Sequence, residues 1–239
     1  MTPEGTFDVA IIGPHPDDVE MTMAGTVIRL VESGARVLNV SVTRGEKGTY
    51  GDAETRQREF AAANAVMGSQ GLLLDLPDTA VTNDTESRLK IVRVVRTYRP
   101  RVVFAPYHTN PFGHMDGSAN VDHYTTGQLV RDGVKLSRFK NLLPELLRHE
   151  VQSLYYFMVP KDRLPTIVVD VTPYIDRVHA AIASYGTQMS IQRRDNPIQE
   201  MLDTLRAYHG LRIGVKYGEA FLSDEALSFG PREFFGPRP

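Results

Sequence analysis

The chain has 239 residues, of which 41% are hydrophobic and 23% charged, so it is ordinary for a soluble globular protein and can bury a sizeable core as one domain. Its formal net charge of −2 gives no basic field that would attract nucleic acid or an anionic membrane surface. It contains no cysteine, which excludes disulfides, thiolate metal ligands and cysteine nucleophiles, so any metal must be bound by His, Asp or Glu.

Strand-like and helix-like segments alternate along the chain. An apolar run predicts a strand over 7–13, and apolar residues at helical spacing predict the helix over 18–33 that follows it. Gly68 is expected to end a helix over 53–67, and Pro100 to stop one over 86–98. The other predictions, in chain order within each class, are strands over 36–43, 72–76, 102–105, 154–159 and 166–171, and helices over 122–136, 174–185 and 201–208.

This alternation predicts the fold class. We expect an α/β protein with a single-domain, Rossmann-like and mostly parallel sheet, helices on both faces and right-handed crossovers. Ligands of such sheets bind outside the carboxyl ends of the strands, where the strand order reverses. His15 follows the first predicted strand, residues 45–50 follow the second and His123 follows the fourth. The polar residues therefore gather at the edge where a site is expected.

The two ends of the chain and its overall organisation give further expectations. Residues 1–5 lack the basic start and apolar stretch of a signal peptide, and no apolar run approaches the roughly 18 residues that span a bilayer. We therefore expect a cytoplasmic protein without a membrane span. Because there is no internal repeat, low-complexity tract or long polar linker, we expect one domain over 1–239.

The segment Pro14-His15-Pro16-Asp17-Asp18 is the strongest chemical signal. His15 and Asp18 are types that bind a hard or borderline divalent metal, and Asp17 between them is free to accept a proton. Two ligands on one loop and a third on a distant loop, with one position open for water, is how a catalytic zinc site is usually assembled. Alternatively, Asp17 or Asp18 only caps the next helix, which explains one aspartate but not the histidine and the other aspartate.

The third ligand has several candidates. His123, preceded by Asp122, heads a helix-like stretch where a histidine also serves as a capping or surface residue. His114 is the rival, although its glycine-rich surroundings suggest a mobile loop, which suits a metal ligand poorly. His108 is a weaker rival. The remaining histidines are expected on the surface or satisfied in the core: His149, His179 and His209.

Two further features are candidates for substrate binding. The polar, glycine-rich loop over 43–49 either forms a wall of the substrate site, with Glu46 as its binding residue, or is an ordinary turn. Arg56 and Arg58 lie in the first turn of the helix over 53–67, where the helix dipole disfavours a cation. Arg56 is therefore expected either to bind an anionic group or to belong to a solvated helix face.

At these residues the chain resembles the zinc-dependent N-deacetylases of the PIG-L/LmbE family, and most of all the branch that deacetylates N-acetylglucosaminyl malate in bacillithiol biosynthesis. The resemblance extends over nearly the whole chain. It rests on the motifs His15-Pro-Asp-Asp-Val-Glu20, Ala24-Gly-Thr26, Thr55-Arg56 with Glu59, Val103-Phe-Ala-Pro-Tyr107, Asp122-His123 and Gly214-Val-Lys-Tyr-Gly-Glu-Ala-Phe221.

The resemblance implies roles for the site residues. It places zinc, or ferrous iron in cells, on His15, Asp18 and His123. The metal would lower the pKa of a bound water towards ~7, and Asp17 would take the proton as general base. The resulting hydroxide would attack the carbonyl carbon of an N-acetyl group on an N-acetylglucosamine conjugate. Asp122 is expected behind the metal ligands and Arg56 against the substrate, so both are counted among the substrate-site residues.

One position departs from the family pattern. Where the family usually reads His-Pro-Asp-His, this chain reads Asn120-Val-Asp-His123. Asn120 can donate a hydrogen bond to an oxyanion but cannot supply a proton. The sequence therefore leaves the missing role open between Asn120 and His114, with Asp17 returning its proton to the leaving amine.

Other functions stay open at this stage. A non-haem iron oxygenase also uses two histidines and a carboxylate, although such enzymes more often have all-β barrels. A sugar-binding or weakly active relative is compatible with the Asn120 substitution. The resemblance further implies a small-molecule substrate and a homo-oligomer, either a trimer or a hexamer, while the net charge of −2 predicts no nucleic-acid partner.

Overall fold

The computed structural model describes residues 5–111, 120–189 and 197–228. Within these ranges the strands are β1 (Val9–Gly13), β2 (Val37–Ser41), β3 (Gln70–Leu73), β4 (Val102–Pro106), β5 (Ser153–Phe157), β6 (Ile167–Asp170) and β7 (Gly218–Phe221). The helices are α1 (Asp18–Glu32), α2 (Ala53–Met67), α3 (Thr85–Tyr98), α4 (Val121–Leu136), α5 (Ile175–Ala183), α6 (Gly186–Met189) and α7 (Ile198–Leu211), and a 3-10 turn covers Thr172–Tyr174. None of the helices in the described ranges has both the length and the apolar character needed to cross a membrane.

The central sheet has five strands in the order β3-β2-β1-β4-β5, and every neighbouring pair is parallel. The predicted α/β class with a mostly parallel sheet is therefore confirmed. The chain moves outward from β1 through β2 to β3 and then returns to β4 on the other side of β1. The strand order thus reverses between β1 and β4, which is where ligands bind in open sheets of this kind.

Both faces of the sheet are covered, because β1 and β2 are buried along their whole length. Ala10 and Ile12 pack into one core with residues of α3 and α4, such as Ile91 and Leu129. The alternate residues Val9 and Ile11 pack into a second core with side chains of α1, α2, α5 and α7. The period-2 alternation of side chains along a strand explains how one apolar run serves both cores.

The termini of the helices follow from local chemistry. Asp52 caps α2 by accepting a hydrogen bond from the backbone N–H of Thr55 at 2.8 Å, and Asp84 caps α3 through Ser87 in the same way. Gly68 ends α2 in the left-handed conformation, with φ of 80°, as the sequence predicts.

A second, two-stranded sheet is the main feature that the sequence does not predict. β6, close to the strand expected over 166–171, pairs antiparallel with β7, for which no strand is predicted. Glu219 of β7 is buried and accepts hydrogen bonds from the backbone N–H groups of Gly25 and Thr26 and from Arg206 of α7. A Cβ atom at Gly25 would come within 2.6 Å of Val171, so this close approach requires glycine. The contacts fix β7 and α7 beside α1, where they form one wall of the site.

Candidate metal centre and its cavity

The candidate site lies at the carboxyl edge of the central sheet, where the strand order reverses. His15 lies on the loop after β1, Asp18 is the first residue of α1, and His123 is in the first turn of α4. These three residues were the predicted metal ligands, and the structure brings them together. Their potential ligand atoms all lie within 4.8 Å of one another.

Asp18 is the centre of this group. Its Oδ2 lies 2.9 Å from Nδ1 of His15 and its Oδ1 lies 3.4 Å from Nε2 of His123. Oδ2 also accepts a hydrogen bond from the backbone N–H of His15, which fixes the loop against the helix. The Asp18 carboxylate is therefore aimed at both imidazoles, which is not the geometry of a simple helix cap.

The other ring nitrogen of His15 faces two further carboxylates. Nε2 lies 3.3 Å from Oδ1 of Asp78 and 3.3 Å from Oδ2 of Asp122. Asp122 is fully buried and already accepts hydrogen bonds from the backbone N–H groups of Thr79 and Val81. A metal-binding histidine usually donates its second N–H to such a carboxylate, which orients the ring and leaves the other nitrogen free for the metal.

Asp78 is a site residue that the sequence interpretation missed. It lies on the loop after β3, and its Oδ2 accepts a hydrogen bond from the backbone N–H of Lys47 at 2.8 Å. With His15 and Asp122 it forms a second group of potential ligand atoms. In this second group, the carboxylates of Asp78 and Asp122 already accept hydrogen bonds from backbone N–H groups. The first group, His15, Asp18 and His123, offers the two imidazoles and one carboxylate typical of zinc. The strand-end argument, extended to the third strand, would have pointed to Asp78.

The electrostatics of the group fit a bound cation. Burial lowers the pKa of His15, but the carboxylates of Asp122, Asp18 and Asp78 outweigh it and raise the pKa to about 12. Burial likewise raises the pKa of Asp18, yet His123 and His15 hold it well below its usual range. The buried carboxylates thus strongly favour positive charge between them. A divalent ion supplies that charge, and the donor types suit zinc or ferrous iron.

Asp17, the predicted general base, occupies an unusual backbone conformation at the N-terminus of α1, with φ of 125° and ψ of −31°. Its carboxylate turns towards Arg56 rather than towards the backbone of the helix, and Oδ2 lies 3.1 Å from Nη2 of that arginine. Burial and the charge of Asp18 raise the pKa of Asp17 to about 6, against the opposing effect of Arg56. Strained backbone and a shifted pKa of this kind cluster at functional sites.

Arg56 is buried, with its side chain only 3% exposed. Besides Asp17, its Nη2 donates to the backbone carbonyl of Pro16, and the guanidinium lies 5.5 Å from the centre of the Tyr185 ring. Gly45, with φ of 66°, leaves room for this arrangement, because a Cβ there would approach Nε of Arg56 to 3.1 Å. The sequence predicts that Arg56 binds an anionic group, and within the described residues that group includes the carboxylate of Asp17.

The remaining predicted site residues lie in different places. Asn120 precedes α4, where its Oδ1 accepts a hydrogen bond from the backbone N–H of Asp122, and it also lines the cavity. Glu46 lies on the exposed loop after β2 and accepts a hydrogen bond from the backbone N–H of Asp78; in the described part of the chain it is not among the cavity-lining residues. His114 lies outside the described residues.

The other histidines divide into two kinds. His108 pairs with Asp224 at 2.6 Å, His149 donates to the carbonyl of Pro100 at 2.7 Å, and His179 pairs with Asp203. His209 differs, because it is buried and lines the same cavity as the metal centre, which the sequence did not indicate.

The cavity has a volume of about 380 Å³, within the range that holds small-molecule ligands. One side is formed by the metal-centre residues, a second by the loops after β2 and β3, and a third by α1, α7 and the strand ends. The lining residues used below are Met21, Lys47, Arg56, Met158, Val159, Ile198, Leu202, Leu205, Arg206 and His209.

Comparison with known proteins adds an independent line of evidence. The model of the family described as PIG-L, GlcNAc-PI de-N-acetylase, matches residues 10–134, more than half of the chain. The chain is 27% identical over 230 residues to the diacetylchitobiose deacetylase of Thermococcus kodakarensis, covering 88% of this chain and 80% of the relative.

Two crystal structures are similar along most of their length. A conserved protein from Thermus thermophilus has a TM-score of 0.82 and 29% identity, with 95% of this chain and 98% of that chain covered. The N,N'-diacetylchitobiose deacetylase from Pyrococcus horikoshii, in complex with an inhibitor, has a TM-score of 0.77 and 27% identity, with 89% and 82% covered.

Proposed function

The chain belongs to the PIG-L family, and on that premise we propose that it is a metal-dependent hydrolase that removes the N-acetyl group from an N-acetylglucosamine-type conjugate. The observation that carries the proposal is the meeting of His15, Asp18 and His123 in one cavity, with Asp17 beside them. The two diacetylchitobiose deacetylases among the relatives support an N-acetylated amino sugar as the substrate class.

The metal would be held by His15, Asp18 and His123. Zinc is the proposed ion, with ferrous iron as the alternative, since both accept two imidazoles and a carboxylate. When bound, such an ion supplies Lewis acidity, which makes a water nucleophilic at neutral pH and polarises the amide carbonyl. Asp122 and Asp78 orient the ring of His15 for this task.

Asp17 is the proposed general base and later the general acid. It takes a proton from the attacking water, the water oxygen bonds to the amide carbon, and Asp17 passes the proton to the nitrogen of the leaving amine as the C–N bond breaks. A carboxyl whose pKa is raised to about 6 is suited to both steps, because it is ionised at neutral pH yet basic enough to hold a proton briefly.

Asn120 is the proposed donor to the oxyanion that develops on the amide oxygen. Its Oδ1 is occupied by the backbone N–H of Asp122, so its amide nitrogen is the end that can donate into the cavity. Removing one such donor typically lowers the rate by about 10²–10³. Arg56 lines the same cavity and is proposed to hold Asp17 in position beside the substrate.

The direct experiment measures acetate and primary-amine release by zinc-loaded protein from a panel of N-acetylated amino sugars. The panel contains N-acetylglucosamine, diacetylchitobiose, alkyl N-acetylglucosaminides and N-acetylglucosaminyl malate, the conjugate suggested by the bacillithiol branch. We expect equimolar acetate and amine, loss of both after chelation, and equal rates without oxygen. The proposal is wrong if no member of the panel releases acetate, and an oxygen requirement would favour an iron oxygenase instead.

A further inference from the structure

Helix α7 presents a stripe of five residues to the cavity. Ile198, Leu202, Leu205, Arg206 and His209 all line it. At about 1.5 Å per residue these positions extend over roughly 16 Å of helix, which is longer than a single sugar ring needs. We call this part of the cavity the α7 subsite, and it also includes Met21, Met158 and Val159 from the facing elements.

Most of the α7 subsite is apolar. Ile198 and Leu202 are 5% exposed and Val159 is 7% exposed, so they form a firm apolar wall with little surface of their own left to cover. Met21, Met158 and Leu205 are half-buried at the same wall. Covering apolar surface of this kind stabilises a bound apolar group in proportion to the area removed from water.

The cationic side chains of the cavity argue against a strongly anionic group here. Arg56 is paired with Asp17 at 3.1 Å, and Arg206 is paired with Glu219 at 3.3 Å and lies 3.8 Å from Asp203. Lys47 also lines the cavity, but on the loop after β2 rather than on α7, and its Nζ lies 3.4 Å from Oγ1 of Thr79. Within the described residues, each buried arginine of the cavity thus already has a carboxylate beside it.

We propose that the α7 subsite binds the aglycone of the substrate, and that this aglycone is an extended, uncharged apolar chain. The inference rests on the proposed function, because it assigns the metal centre to the N-acetyl group and α7 to what lies beyond the sugar. It selects an uncharged, lipid-like aglycone over a dicarboxylate such as malate.

The test compares kcat/KM for N-acetylglucosaminides with three aglycones: methyl, hexyl and malate. We expect kcat/KM for the hexyl compound to be at least tenfold higher than for the methyl compound, because KM is lower. A tenfold gain is less than the burial of five additional methylenes can supply. Malate at or above the hexyl value, or equal values for methyl and hexyl, would overturn the proposal.

Variants of one helix locate the effect. In Leu205→Gln the hexyl-to-methyl ratio of kcat/KM should fall towards 1. Leu211→Gln should keep the wild-type ratio, because it is the same change at a position of α7 that is 78% exposed. A ratio unaffected by Leu205→Gln contradicts the assignment to α7, and thermal unfolding of each variant verifies that it is folded.

A second readout separates this inference from the proposed function. If no glycoside is hydrolysed, the proposed function is wrong, and calorimetric binding of the intact glycosides then decides the inference by itself. Hexyl binding at least tenfold tighter than methyl binding supports the α7 subsite. Equal binding of the two compounds contradicts it.

Discussion

Nη2 of Arg56 lies 3.1 Å from Oδ2 of Asp17, so the carboxylate of the proposed general base is held by a buried guanidinium from the next helix. The same nitrogen donates to the carbonyl of Pro16, which fixes the strained backbone at Asp17. This pair links the first turn of α2 to the base of the proposed reaction, and it leads to the first two predictions.

Arg56→Gln should lower kcat by about 10²-fold, the cost typical of a reacting group displaced by about 1 Å, while KM changes less than about threefold. Arg58→Gln is the matched control, because Arg58 lies on the same helix, is exposed and pairs with Glu54 at 2.8 Å. The measurement is steady-state kinetics of both variants. A large rise in KM at constant kcat would mean that Arg56 acts mainly by binding the substrate.

Asp17→Asn should lower kcat by about 10²–10⁴-fold, because an amide of nearly the same shape cannot take the proton of the attacking water. Metal content should stay at the wild-type level, since Asp17 is not among the three grouped ligands. Asp52→Asn is the control: Asp52 caps α2, and asparagine caps equally well. An unchanged kcat in the Asp17 variant would remove it as the base.

Asp122→Asn should weaken zinc binding by about 10–100-fold, the range typical when a carboxylate behind a metal-binding histidine is lost. It should also lower the free energy of unfolding by about 1–3 kcal/mol, because an amide cannot accept from both Thr79 and Val81 as well as from His15. Competition with a chelator measures the first effect and denaturant unfolding the second. Asp132→Asn, on the same helix and partly exposed, should leave zinc affinity unchanged; a wild-type affinity in Asp122→Asn would contradict the orienting role.

His149 should make the protein less stable as the pH falls. Burial, with a smaller contribution from Arg99, holds its pKa below the ordinary value of 6.5, although the hydrogen bond to Pro100 acts in the opposite direction. Because the unfolded chain takes up the proton first, stability from the neutral ring is complete above pH 6.5 and is lost as the pH drops below it. Between pH 7.5 and 5.5 the melting temperature should fall more in the wild type than in His149→Gln, and parallel curves would show that His149 does not titrate in this way.

The order of elements was predictable where the hydrophobic period is strong. The buried run of β1 and the amphipathic patterns of helices such as α1 and α3 favour a parallel α/β sheet, and that prediction is confirmed. β7 was missed because the short segment Gly218–Phe221 has no alternation of its own and is ordered by its partner β6 and by the contacts of Glu219. The start of α7 was placed three residues too late for a related reason, since Ile198 and Leu202 are buried by tertiary packing.

The metal ligands were predictable for a different reason. His15 and Asp18 are neighbours in the chain, and His123 follows a strand end that the fold brings to the same edge. Three other features depend on how the loops and α7 pack: the approach of Arg56 to Asp17, the contact of Asp78 with His15 and the burial of His209. Such contacts join residues far apart in the chain, and a single sequence carries no local pattern that indicates them.

Anomalous diffraction from a crystal of the zinc-loaded protein tests the central claim most directly. We predict a single strong peak bonded to His15, Asp18 and His123 at about 2.0–2.2 Å, with Nε2 of His15 still facing Asp78 and Asp122. A peak on the Asp78–Asp122 side of His15, or an imidazole of His123 turned away with no peak beside it, would contradict it.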